Sequence, residues 1–109
     1  MTHDEIAKMT IHEVNVAITQ RIGTVIYDED LDTFYPTDYT GDWTHAGRLL
    51  EIMADDHVEV RYAGSSYECY AFRRKDDDIL TFDGSARTAP EAIARCWLEW
   101  HDAPREATP

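Results

Sequence analysis

Four carboxylates crowd into one short stretch, Asp28, Glu29, Asp30 and Asp32, and three more stand in a row at Asp76, Asp77 and Asp78. Clustered acids are the raw material of a calcium loop. An EF-hand loop wants acidic or amide ligands at alternating positions, glycine at the sixth place and glutamate at the twelfth. Counted from Asp28, those places hold Thr33 and Tyr39, so the pattern fails. What remains is charge itself. The cluster is either a solvated acidic loop or a set of carboxylates spaced as phosphates are along a nucleic acid. Asp76, Asp77 and Asp78 fall at an expected hairpin tip, where aspartate accepts local backbone hydrogen bonds. Three in a row is more charge than a turn needs.

Other chemistry is sparse. His3, His12, His45, His57 and His101 form no HxxxH or HxH pair, and no two cysteines lie at zinc spacing, so no metal site is predicted. There is no glycine-rich phosphate loop and no nucleophile elbow; Ser65-Ser66 sits in an expected turn. Carboxylates are so abundant that no acid–base pair stands out. The expectation is a non-enzymatic protein with no catalytic residue and no cofactor. Cys69 and Cys96 each follow the apolar pattern around them, which predicts buried free thiols.

The elements that position these residues follow from periodicity. Thr2 and Glu5 have capping-box spacing, Thr10 and Glu13 repeat it, and an apolar stripe runs through Ile6, Met9, Val14, Ala17, Ile18 and Ile22. This predicts a helix over about residues 4–22, or one starting at Thr10, stopped by Gly23. Residues 24–27 are β-prone. Residues 28–42 hold acids, Pro36 and Gly41 but no base, and read as a long loop. Trp43, Ala46, Leu49, Leu50 and Met53 make a second helical face, capped by Thr40 or Asp42.

Three strands follow. Residues 57–62 alternate, with Val58, Val60 and Tyr62 on one side. Residues 67–74 put Tyr67, Cys69 and Ala71 on one face and Glu68, Tyr70 and Phe72 on the other. Residues 79–82 complete the meander. Tyr62, Tyr67, Tyr70 and Phe72 are assigned to the core rather than to an aromatic surface. Thr88, Pro90 and Glu91 then open the clearest helix, whose stripe is Ile93, Cys96, Trp97 and Trp100. The class is α+β: helix, short strand, acidic loop, helix, three-stranded antiparallel sheet, helix, with the helices packed on the sheet.

At 109 residues the chain is one domain, with a core over about 4–102 and a flexible tail at 103–109. No apolar run is long enough to span a bilayer and no signal peptide opens the chain, so a soluble cytoplasmic protein is expected. The formal charge of −12 repels phosphate and disfavours direct nucleic-acid binding. Helix, three antiparallel strands, helix is also the order of double-stranded RNA-binding domains. Their second helix needs basic residues at its start; here Thr88, Ala89, Pro90 and Glu91 stand there.

The segments Pro36-Thr37-Asp38-Tyr39, Asp42-Trp43-Thr44-His45-Ala46 and Thr88-Ala89-Pro90-Glu91-Ala92-Ile93-Ala94-Arg95-Cys96 resemble those of the phage ABA sandwich domain family. There a polar segment precedes a Trp-bearing helix and a TAP-x-AI segment opens the last helix. The resemblance spans about residues 10–102. It implies origin in a phage or prophage as an accessory protein, and it carries over no catalytic residue.

Two expectations follow. The first is a protein that sets an acidic, DNA-mimicking surface against a basic host protein, as an anti-CRISPR inhibitor of a nucleic-acid-binding defence complex would. Its contact residues would be Asp28, Glu29, Asp30, Asp32, Asp76, Asp77 and Asp78. The second is a small assembly module that forms a homodimer through an exposed sheet face or helix stripe, with acidity serving only solubility.

Overall fold

The computed structural model describes residues 2–22, 26–28 and 33–103. Its elements are α1 (His3–Lys8), α2 (Ile11–Ile22), β1 (Ile26–Asp28), β2 (Thr33–Tyr35), α3 (Trp43–Ile52), β3 (His57–Tyr62), β4 (Tyr67–Lys75), β5 (Asp78–Ala86) and α4 (Ala89–Asp102). The fold is α+β, with a three-stranded antiparallel sheet ordered β3-β4-β5 and helices on it.

Where one N-terminal helix was expected there are two, because both capping boxes form. Thr2 Oγ1 accepts from the Glu5 N–H at 3.2 Å while Glu5 accepts from the Thr2 N–H at 3.0 Å. Thr10 and Glu13 do the same at 3.1 and 2.8 Å. Thr10 cannot cap a new helix and also continue the old one, so the chain breaks at Met9–Thr10. Two carbonyls at that break meet a cation: Arg95 of α4 donates to Ile6 O, which also accepts the Met9 N–H, at 2.7 Å and to Met9 O at 2.9 Å. The Gly23 stop and Thr24-Val25 lie outside the described residues, as does the expected tail from residue 104 on.

Part of the stretch expected as loop is a strand. β1 and β2 pair antiparallel, Ile26 with Tyr35 and Asp28 with Thr33. The following segment is strapped to α2. Asn15 Oδ1 accepts the N–H groups of Tyr39 and Thr40 at 2.9 and 3.1 Å, and Thr19 Oγ1 accepts that of Thr37 at 3.0 Å. Tyr39 is thereby held in the core. Asp42 then caps α3, accepting from the Thr44 and His45 N–H groups. Trp43 is 62 % exposed, so the buried stripe of α3 starts one turn later than expected, at Ala46, Leu49 and Met53.

α4 is the hub. It packs on β4 and β5 and also against α1, α2 and α3. Ala92 to Leu98 are therefore buried on every side, beyond the stripe that periodicity predicts. Close approach to the sheet depends on Gly84. A Cβ there would stand 2.3 Å from Ala92 O and 2.5 Å from Cys96 N, both backbone atoms. The expected capping box at Thr88 does not form: Thr88 makes no side-chain cap bond, and Glu91 pairs with Arg95 at 2.9 Å instead.

The sheet has one covered face. Cys69, Ala71, Phe82 and Gly84 are buried beneath α4. The alternate residues Glu68, Tyr70 and Phe72, with Glu59, Arg61 and Ile79 beside them, face away from the helices. Tyr70 and Phe72 are thus not core residues, as had been expected. With no second helical layer over them among the described residues, their rings stack on each other at 6.3 Å. Tyr67 does lean on the core, whereas Tyr62 is 66 % exposed. Among the described residues no helix packs closely along β3, of which Val58 leans on the core.

Candidate functional site

The β4–β5 hairpin carries the row of three aspartates at its tip. Lys75 pairs with Asp78, leaving Asp76 and Asp77 to turn the chain. Asp76 takes a φ of 55°, a left-handed conformation that aspartate tolerates better than most residues. Local geometry thus accounts for Asp76. Asp77 and Asp78 are exposed and have no ion pair among the described residues. The α3–β3 turn lies at the same end of the sheet. Asp55, Asp56, His57, Phe72, Arg74 and Ile79 line a hollow of about 330 Å³ there.

Of the other expected cluster, Asp28 ends β1, while Glu29, Asp30 and Asp32 lie outside the described residues. The structure therefore places Asp76, Asp77 and Asp78 and, of the first cluster, Asp28 alone.

Acidity at the surface is sharpened by how the arginines are used. Arg95 serves Glu91 and two backbone carbonyls. Arg21 grips Asp102 through two bonds of 2.7 Å and also donates to Ala17 O. Arg73 donates to Asp56 at 3.1 Å and to Trp100 O at 3.2 Å, with its guanidinium about 5 Å from the Phe82 and Trp100 rings. These cations neutralise carboxylates inside the fold and contribute little positive potential outside it. Arg21 and then His101 hold the Asp102 carboxyl well below the usual carboxylate range.

The bare face of the sheet carries a second polar constellation. Glu59 accepts from Arg61 at 2.6 Å and meets His57 at 3.1 Å, which keeps its carboxyl below its ordinary value. Arg61 lies 5.2 Å from the centroid of Tyr70. Tyr70 donates to Glu68, and that contact raises the phenol's pKa. Acids and bases alternate here, so this face is mixed rather than acidic. Its signal in the sequence was the polar–aromatic half of the β4 alternation, which the core assignment absorbed.

One cluster has metal-like composition. His3, Asp83 and Glu99 present ligand atoms that all lie within 4.8 Å of one another. His3 Nδ1 is 2.9 Å from Glu99 Oε2 and 3.2 Å from Asp83 Oδ1, and Glu99 also accepts the Asp83 N–H at 3.3 Å. The hydrogen bond to Glu99 raises the His3 pKa, followed in effect by the Asp83 charge. The imidazole, held between two carboxylates, is a clasp that ties α1 to β5 and α4. Cys69 and Cys96 are both buried and free. Contact with Cys69 and burial push the Cys96 thiol far up, and it donates to Phe82 O at 3.6 Å, so Cys96 is not poised as a nucleophile.

No helix among the described residues is long and apolar enough to cross a membrane. No family model matches the chain, and no curated protein matches it either.

Proposed function

We infer that this chain is a non-enzymatic binding protein that sets an acidic surface against a basic protein partner. The observation that carries this is the division of charge. Arg21, Arg73 and Arg95 are consumed inside the fold, while Asp77 and Asp78 stand exposed at a hairpin tip. With a net charge of −12 the exterior is strongly electronegative, which speeds association with a basic surface and suppresses binding to nucleic acid itself. Such a surface suits a protein that handles nucleic acid. The resemblance to phage accessory proteins extends the proposal to inhibition of a host defence complex in the cytoplasm, by occupying a channel built for DNA.

The test is capture from host lysate at low and moderate salt. Three baits are compared: the wild type, a chain with Asp76, Asp77 and Asp78 changed to Asn, and a chain with Asp28→Asn, Glu29→Gln, Asp30→Asn and Asp32→Asn. A nucleic-acid-binding protein held by the wild type, released by salt and lost from the variants supports the proposal. Equal capture by all three chains would falsify it.

A second reading has its own observation. Val60 and Tyr62 on β3 and Ile79 on β5 are 40 %, 66 % and 64 % exposed. Apolar exposure along a strand edge favours an assembly module that self-associates, with acidity serving solubility.

A further inference from the structure

The two edges of the sheet are treated differently. The β5 edge is closed by α1 and by Glu99, which accepts the Asp83 N–H. Among the described residues the β3 edge is open. It has six residues in unbroken register with β4, no bulge and no proline. Natural edges are blunted by such devices because an open row of N–H and C=O groups recruits another strand.

The phase of that row can be read off the hairpin. Ala63 N–H donates to Ser66 O at 2.8 Å, and the register runs from Tyr62–Tyr67 to His57–Phe72. Residues 57, 59 and 61 therefore exchange hydrogen bonds with β4. Val58, Val60 and Tyr62 turn their N–H and C=O groups to the open edge. Their side chains point to the helical side, where α4 does not reach.

We propose that β3 pairs antiparallel with β3 of a second copy about a two-fold axis at Val60, joining two sheets into one of six strands. In this register Val60 faces Val60, Val58 faces Tyr62 of the second copy, and Glu59 faces its Arg61. Opposed residues in an antiparallel pair share a face and interact directly. Every pairing is complementary. The Glu59–Arg61 pair that each chain already makes becomes one side of a square of four alternating charges on the bare face. Moving the register by two residues keeps the hydrogen-bond phase but sets Glu59 against Glu59, or Arg61 against Arg61. Charge thus selects one register.

Shape agrees on the helical side. Leu50, Ala54, Val58 and Val60, with the α3–β3 turn, line an open groove of about 530 Å³ beside β3. Tyr62 of the second copy, opposite Val58, projects over that groove. The two-fold axis fills both grooves at once and covers Val60 and Tyr62, an isologous contact that closes on itself. This stands whether or not the acidic-surface proposal holds, and it gives the assembly reading its contact strand and register.

Sedimentation velocity of the full chain over a concentration series tests it. The wild type is expected to move from a 12.6 kDa monomer to a species of twice that mass. Glu59→Arg alone and Arg61→Glu alone each set like charges opposite one another twice per dimer. Each is expected to weaken association roughly tenfold or more. An equimolar mixture of the two variants restores opposite charges at both pairs and should dimerise as the wild type does. Val60→Pro removes an N–H that faces the open edge and not β4, so the monomer keeps its circular dichroism while the dimer is lost. A wild type that stays monomeric at every concentration overturns the proposal. So does a dimer indifferent to the single charge changes, a mixture that fails to recover, or a Val60→Pro chain that still pairs. None of these outcomes touches capture of a basic partner, which reads the aspartate clusters instead.

Discussion

On the helical side of the sheet, Arg21, Arg73 and Arg95 each meet a carboxylate and a backbone carbonyl, and Trp97, Leu98 and Ile93 are wholly covered. On the bare face and along β3, Tyr62 and Ile79 stand in solvent and a row of backbone groups faces outward. The first region spends its polar groups on its own chain. The only buried side-chain atoms left without a partner among the described residues are Arg73 Nη1 and Trp97 Nε1. The second region keeps its capacity to bond in reserve. Stability should therefore be concentrated on one side of the sheet and association on the other.

The contrast can be broken at its strongest point first. Gly84→Ala drives a methyl into the backbone of α4, which cannot yield as a side chain would. A loss of about 4 kcal/mol or more is expected, read as a collapse of the urea midpoint; a near-normal midpoint would show that α4 can lift from the sheet. Arg95→Met comes next. It takes the guanidinium away from the Ile6 and Met9 carbonyls, of which Ile6 O keeps only the Met9 N–H, and leaves Glu91 unpaired, for about 3 kcal/mol. Loss of amide protection confined to α1 and α2 would locate the damage.

Asp102→Asn should cost on the order of 2 kcal/mol at neutral pH. The folded-state carboxyl is depressed by Arg21, so its contribution is present above the unfolded value, near pH 4, and disappears as pH falls below it. The wild-type melting temperature should therefore drop through that window, and the Asn variant should show a shallower drop. Equal slopes would mean that the pair adds nothing. On the bare face, Tyr70→Ala should change stability by less than about 1 kcal/mol, since its ring meets Phe72, Arg61 and Glu68 and no buried side chain is among these. A larger loss would mean that this face belongs to the core after all.

Much of the helical side was legible in the sequence, because it follows local rules. The Thr2 and Thr10 boxes, the β3–β5 meander and the α4 stripe are each written in a few adjacent residues. Arg95 was not legible. Its partners Ile6 and Met9 lie 89 and 86 positions away, and an arginine inside a helix looks the same whether it is solvated or buried. The same blindness sent Tyr70 and Phe72 to the core, since alternation shows that a strand has two faces but not whether both are covered. Asn15 and Thr19 looked like ordinary polar positions of α2. Only the arrival of Thr37, Tyr39 and Thr40 makes them a strap. The acidic tip was legible as charge.

That α4 is the hub has a consequence for how the chain is made. α4 follows every other described element, yet it supplies the surface on which α1, α2, α3, β4 and β5 all close. On the ribosome, the earlier elements emerge with no apolar surface to settle on and with the Ile6 and Met9 carbonyls still hydrated. A six-residue helix such as α1 does not persist alone in water. The domain cannot fold piecewise from its first residues as they appear; it must wait for residues 89–102 and then close in one step. A nascent chain halted at residue 86 should remain sensitive to protease throughout, and one extended past residue 102 by enough linker to clear the exit tunnel should become resistant all at once.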